Sequence, residues 1–179
     1  MLTTNSMLAD NEVPLSNVGK IDIVHYELAH FKQLIVRPHE EGIKEAVQLS
    51  DTEWARAIGK EAVEAYTGYI DGKLFAIGGL NILWKHVGEV WVIGSPIIPS
   101  QRFSYMKIVK FYLKYFREKY KLKRVQAQVL KDYDMLHRFT KHLGFKYEGT
   151  LHNYCGGNLD KCMYAIWEDK YWLNQLPLR

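Results

Sequence analysis

The stretch from Tyr66 to Leu80 restricts the folding options of this chain more than any other. Two alternating apolar runs, residues 66–70 and 73–80, flank an Asp71-Gly72 pair. Asp-Gly supplies the two positive φ angles of a tight primed turn, so this segment predicts a β-hairpin. A lone hairpin is marginal in water and needs further strands or a helix against its apolar face. The chain offers both. Strand candidates lie at residues 21–26 and 32–37 before it, and at 88–93, 124–130, 145–154 and 161–167 after it, the last two joined around Gly156-Gly157. Gly78 and Gly79 suggest a bulge in the second hairpin strand.

Helical periods separate these strands. Pro38 opens a helix over residues 38–49 with Ile43, Ala46, Val47 and Leu49 on one side. A second helix starts at Ser50 or Asp51, with Glu53 in the capping-box position relative to Ser50 and with Trp54, Ala57, Ile58, Ala62 and Val63 as its buried stripe. Ser100 is the expected cap of a long helix that ends near Lys121, and Asp132 that of a helix running to His142, where Gly144 ends it in a left-handed turn. This order predicts a mixed sheet with helices on its faces.

With 179 residues, 47% of them hydrophobic and 25% charged, the chain has the size of one domain and the composition of a packed core, which excludes a disordered or fibrous protein. Residues 1–30 are expected to form an arm carrying one short strand and residues 31–179 the domain. Two cysteines, Cys155 and Cys162, support neither a disulfide framework nor a zinc cluster, and no metal site is expected. No apolar run is long enough for a membrane span, and the first residues lack a basic segment followed by an apolar one, so the expected location is cytoplasmic, with no membrane partner. The net charge of +4 favours anionic ligands.

From about Leu34 to Trp167 the chain resembles the GNAT superfamily of acyl-CoA N-acyltransferases. The order of elements carries most of the likeness. Ile97, Pro99 and Arg102 match the apolar, proline and basic residues that the family places ahead of its pyrophosphate loop, and Leu143-Gly144-Phe145 matches its helix end, with Gly149 in the next strand. Residues 69–79, 90–95 and 138–145 are similar to small GNAT-like proteins of tailed phages, some of them virion-associated. The resemblance implies an α/β, mostly antiparallel sheet of about six to seven strands with helices on both faces. It also implies transfer of an acetyl group from acetyl-CoA to a primary amine on a small molecule or a protein. Two parting strands, residues 90–93 and 124–129, would hold the pantetheine arm. Trp91, Val92, Ile93, Ile97, Ile98, Gln101, Arg102, Ser104 and Lys107 are the implied CoA-binding residues. Glu89 is the implied base, and Tyr133 or Tyr154 the implied proton donor.

The chain departs from the family at two points. The loop pattern R/Q-x-x-G-x-G/A lets backbone approach phosphate. Read from Arg102, its small positions hold Tyr105 and Lys107; read from Gln101, they hold Ser104 and Met106. The tyrosine that many members use as general acid is replaced by Thr140. These losses, together with five Trp and 12 Tyr, motivate a second reading: a catalytically silent GNAT-like module for assembly or protein binding, such as a host protein or phage virion partner. The basic run Lys107, Lys110, Lys114, Arg117, Lys119, Lys121, Lys123 and Arg124, opposed only by Glu118, reads as a solvated helix face in preference to a nucleic-acid surface, because the interleaved aromatics are needed in the core.

Overall fold

The computed structural model describes residues 20–38, 50, 52–53, 56, 62–155 and 158–167. The expected helix over 38–49, most of the helix after Ser50, the Gly156-Gly157 turn and the first 19 residues lie outside them. Among the described residues one seven-stranded sheet runs in the order β1-β2-β3-β4-β5-β7-β6. Its strands are β1 (Ile21–His25), β2 (Glu64–Ile70), β3 (Lys73–Trp84), β4 (Val87–Gly94), β5 (Arg124–Leu130), β6 (Lys146–Leu151) and β7 (Lys161–Ile166). Every pairing is antiparallel except β4 with β5. The helices are α1 (Leu28–Phe31), α2 (Arg102–Tyr120) and α3 (Asp134–His142), with a 3-10 turn over Ile98–Gln101 leading into α2.

The hairpin closes as its turn residues demand. Asp71 and Gly72 adopt φ of 49° and 72°, and Ile70 pairs with Lys73. The Asp71 carboxylate also accepts the Lys20 N–H at 2.8 Å, which ties β1 to the same turn. Alternation along the strands sends side chains to two layers. Leu80, Val125 and Val129 pack with Leu113 and Phe116 of α2 and with Leu143 and Phe145 at the end of α3. Ile77 and Ile93 face the other way, against Phe31 and Leu34.

Several local expectations give way to the tertiary structure. Residues 32–37 form no strand, because β1 already takes the free edge of β2 and this segment packs Leu34 onto the sheet face instead. Gly78 and Gly79 keep regular pairing with Val92 and Trp91; the ladder shifts between Gly68 and Tyr69 and between Ile82 and Trp84. A Cβ on Gly79 would lie 2.5 Å from the Glu64 carbonyl oxygen and 2.8 Å from the Trp91 ring, so close approach explains this glycine. Ser100 is no helix cap: the 3-10 turn with Pro99 begins the helix earlier, and the Ser100 hydroxyl donates to the Ile97 carbonyl at 2.7 Å. Tyr133, in place of Asp132, occupies the N-cap of α3 and makes no side-chain cap bond. Ser50 and Glu53 do form the reciprocal box, the Ser50 N–H donating to the Glu53 carboxylate at 2.9 Å and the Glu53 N–H to the Ser50 hydroxyl at 3.3 Å. Val63 lies outside any helix and donates its N–H to the Leu80 carbonyl. The sixth strand is shorter than expected, ending at Leu151.

Candidate active site

The parallel seam between β4 and β5 is paired for three positions only: Val87 with Arg124, Gly88 with Val125 and Glu89 with Gln126. Past Glu89 the two strands have no ladder partners in each other. Their outer edges stay zipped, β4 to β3 as far as Gly94 and β5 to β7 as far as Leu130. Parting therefore gives up ladder bonds at one seam alone. Parallel pairing is also slightly the weaker kind.

A cavity of about 450 Å³ occupies the gap. Consecutive residues of both strands line it, Glu89 to Ile93 on β4 and Ala127 to Leu130 on β5. Neighbouring side chains on a strand point to opposite faces, so a cavity touching every one of them passes through the sheet at the wedge. On the α2 side its wall is apolar and aromatic, with Tyr105, Tyr112, Phe116 and Phe139. Tyr105 is buried, stacked on Phe139 at 5.2 Å between ring centroids and edge-on to Phe75. Its ring thus turns into the core and forms part of the wall.

On the opposite side Glu89, Gln128 and Lys161 line the cavity beside Trp91 and Ile93. Arg124, Gln126 and Gln128 share one face of β5, and two of them reach the Glu89 carboxylate: the Nε2 atoms of Gln126 and Gln128 donate to Glu89 Oε2 at 2.9 and 3.0 Å. Gln128 Nε2 also donates to the Tyr154 hydroxyl at 3.0 Å, and Lys161 Nζ donates to Gln128 Oε1 at 3.2 Å. One amide therefore bridges Glu89 to Tyr154. Oε1 of Glu89 has no partner among the described residues. Arg124 anchors the row from the far end, forming a fork of two bonds with Glu148, and this pairing holds the Glu148 carboxyl below its ordinary pKa and raises that of Arg124.

The residues singled out in the sequence scatter over this geometry. Glu89, Trp91, Val92 and Ile93 line the cavity. Trp91 also packs against Ile77 and Ile93 and donates its indole N–H to Asn81 Oδ1 at 3.2 Å. Ile97, Ile98 and Gln101 belong to the turn after β4; Ile98 is buried beside Tyr105. Arg102 is exposed and stacks on Phe103 at 4.8 Å from the ring centroid, Ser104 is buried, and Lys107 is half-buried. Tyr133 sits at the N-terminus of α3, its N–H bonded to the Leu130 carbonyl; neither it nor Tyr154, which is exposed, is among the residues of the cavity wall. The basic run is more fully opposed than expected: Lys119 turns onto Glu64 and Arg124 onto Glu148, besides the pair of Lys114 with Glu118. Gln126, Gln128 and Lys161 went unrecognised in the sequence, although the alternation Arg-Val-Gln-Ala-Gln-Val places three polar side chains on one strand face. Among the described residues no three His, Cys, Asp or Glu side chains gather as metal ligands, and no helix is long and apolar enough to cross a membrane.

Solved structures share this architecture over most of their length. A GNAT-family acetyltransferase from Bacillus anthracis superposes with a TM-score of 0.63 at 16% identity, covering 84% of this chain and 96% of that one. The fold is that of the GNAT acetyltransferases. A mutant of the spermidine N-acetyltransferase SpeG from Vibrio cholerae gives 0.62 at 16% identity, covering 86% and 96%. The ribosomal-protein alpha-N-acetyltransferase RimL, solved in complex with coenzyme A, gives 0.60 at 10% identity, covering 88% and 98%. No family model matches the sequence, and no curated protein matches it either. The likeness is thus one of overall fold and not of sequence.

Proposed function

We propose that the protein is an acyl-CoA N-acyltransferase that acetylates a primary amine. The parting of β4 from β5 around a cavity is the observation that carries this reading. An extended arm with amide groups can take the ladder bonds that the two strands do not give each other, as an added strand would. The apolar α2 side of the gap suits an alkyl arm. When bound, acetyl-CoA supplies an acyl group activated as a thioester.

The protein's own groups then have separable tasks. Backbone N–H groups of β4 beyond Glu89 hold the thioester carbonyl and stabilise charge on its oxygen. Glu89 Oε1 accepts the proton from the amine while the two glutamine amides hold Oε2 and fix the rotamer of the carboxylate. Tyr154, bonded to the same Gln128 amide at the exposed edge of the site, returns a proton to the leaving thiolate. Direct attack by the amine needs no nucleophilic side chain. Tyr133 enters no step.

Calorimetry or a thermal-shift titration with CoA tests the reading. Binding and a rise in Tm are expected; no stabilisation at millimolar CoA overturns it. A silent interaction module is the second reading, favoured by the turn ahead of α2. Two of its backbone donors are spent internally, the Ile98 N–H on Ser95 and the Ser100 N–H on Ile97, both at 3.2 Å. That reading predicts a stable partner, as in a phage virion, and no response to CoA.

A further inference from the structure

The turn after β4 lacks the loop glycines and spends N–H donors on its own carbonyls, so an anion at that end of the cavity needs another cation or donor. Arg37 stands there. Only 8% of it is exposed, it lines the cavity, and it reaches the end of β4 from a segment remote in sequence. A Cβ on Gly94 would lie 2.3 Å from Ile98 Cδ1, 3.0 Å from the Arg37 guanidinium carbon and 3.1 Å from one of its terminal nitrogens, so Ile98 and Arg37 both pack against this glycine.

Length decides which anion belongs there. Gly94 lies five residues beyond Glu89 on an extended strand, roughly 16 Å at about 3.3 Å per residue. From the thioester sulfur of an acyl-CoA to its first phosphorus there are about thirteen bonds, which span roughly 16 Å at the extended-chain advance of about 1.2 Å per bond. With the thioester beside Glu89, the diphosphate falls at Gly94.

We infer that Arg37 is the diphosphate anchor of this protein, in place of the glycine-loop amides. The inference rests on the acyl-CoA reading above. A planar guanidinium offers phosphate two parallel N–H bonds, a stronger and more directional grip than a single ammonium gives.

Binding of CoA and of pantetheine, which has the same arm without phosphates, distinguishes the outcomes. By calorimetry and NMR titration, wild-type protein should bind CoA at least ten times more tightly than pantetheine. Arg37→Met should weaken CoA about 10- to 100-fold and leave pantetheine unchanged, with Arg37→Lys in between. Unaltered CoA affinity in folded Arg37→Met or Arg37→Lys overturns the inference and leaves the acyl-CoA reading standing. Equal wild-type affinity for CoA and pantetheine overturns it without any variant. Loss of pantetheine binding in the variants assigns Arg37 to the arm or the acceptor and also overturns it. Failure of wild type to bind either compound overturns both readings.

Discussion

Glu64 on β2 and Glu89 on β4 are two partly sheltered carboxylates on one sheet, and their surroundings differ in a way that separates a structural acid from a chemical one. Glu64 is saturated. Tyr66 donates to its Oε2 at 2.6 Å, while Tyr120 at 2.5 Å and Lys119 donate to Oε1, and its side chain is 8% exposed. Burial alone would raise its pKa, but the bonds from Lys119, Tyr120 and Tyr66 outweigh it and hold the carboxyl below its ordinary value. The same carboxylate, added to burial, pushes the Tyr120 hydroxyl up to about 12 and Tyr66 higher still. Glu89 receives neutral amides only, both on one oxygen. A carboxylate held by a cation and two phenols is stabilised in its charged form and is a poor base; one held on a single oxygen by neutral amides keeps its other oxygen open and a fixed direction.

The contrast is sharpest in Glu89→Gln. Loss of a general base should lower kcat by about 10²- to 10⁴-fold, with KM for acetyl-CoA and Tm nearly unchanged. Steady-state kinetics with a panel of amines checks this, and a large fall in Tm instead would put Glu89 in the same structural class as Glu64. Glu64→Gln should do the reverse, costing about 2 kcal/mol in urea unfolding by weakening charge-assisted bonds while leaving CoA affinity intact. Tyr154→Phe should lower kcat by about tenfold with KM for acetyl-CoA unchanged if the hydroxyl supplies the proton; an unchanged kcat would leave Tyr154 as packing around Lys161.

The smallest effects are in pH. The raised Tyr120 hydroxyl contributes stability that is complete below the ordinary tyrosine pKa near 10 and is lost as pH rises through about 12. Alkaline unfolding followed by tyrosinate absorbance should therefore show a transition in that window that Glu64→Gln moves to lower pH. At the other extreme Asp160 is held at about 2, chiefly by the Asn153 N–H and then by Lys131. Its contribution is present above the ordinary carboxylate pKa and disappears only as pH falls through about 2, which an NMR titration of the Asp160 carboxyl checks.

Local chemistry made the hairpin at Asp71-Gly72, the α2 stripe and the Gly144 stop legible, because turn angles and helical periods are written in adjacent residues. The order of elements carried the GNAT resemblance that the solved structures support at the level of fold. Ser100 and Asp132 were misjudged as caps because a neighbouring turn competed for the same backbone groups. The amide row of Gln126 and Gln128 has a visible alternation, but its target on β4 lies 37 and 39 residues away in the chain.

The sequence by itself determined which segments turn, coil and extend, since those choices depend on neighbours within a few residues. Tertiary structure alone decided where β4 leaves β5, which oxygen of Glu89 stays free and how Arg37 comes to stand beside Gly94. Each of these depends on how strands distant along the chain divide a limited set of ladder bonds. No local period records that division.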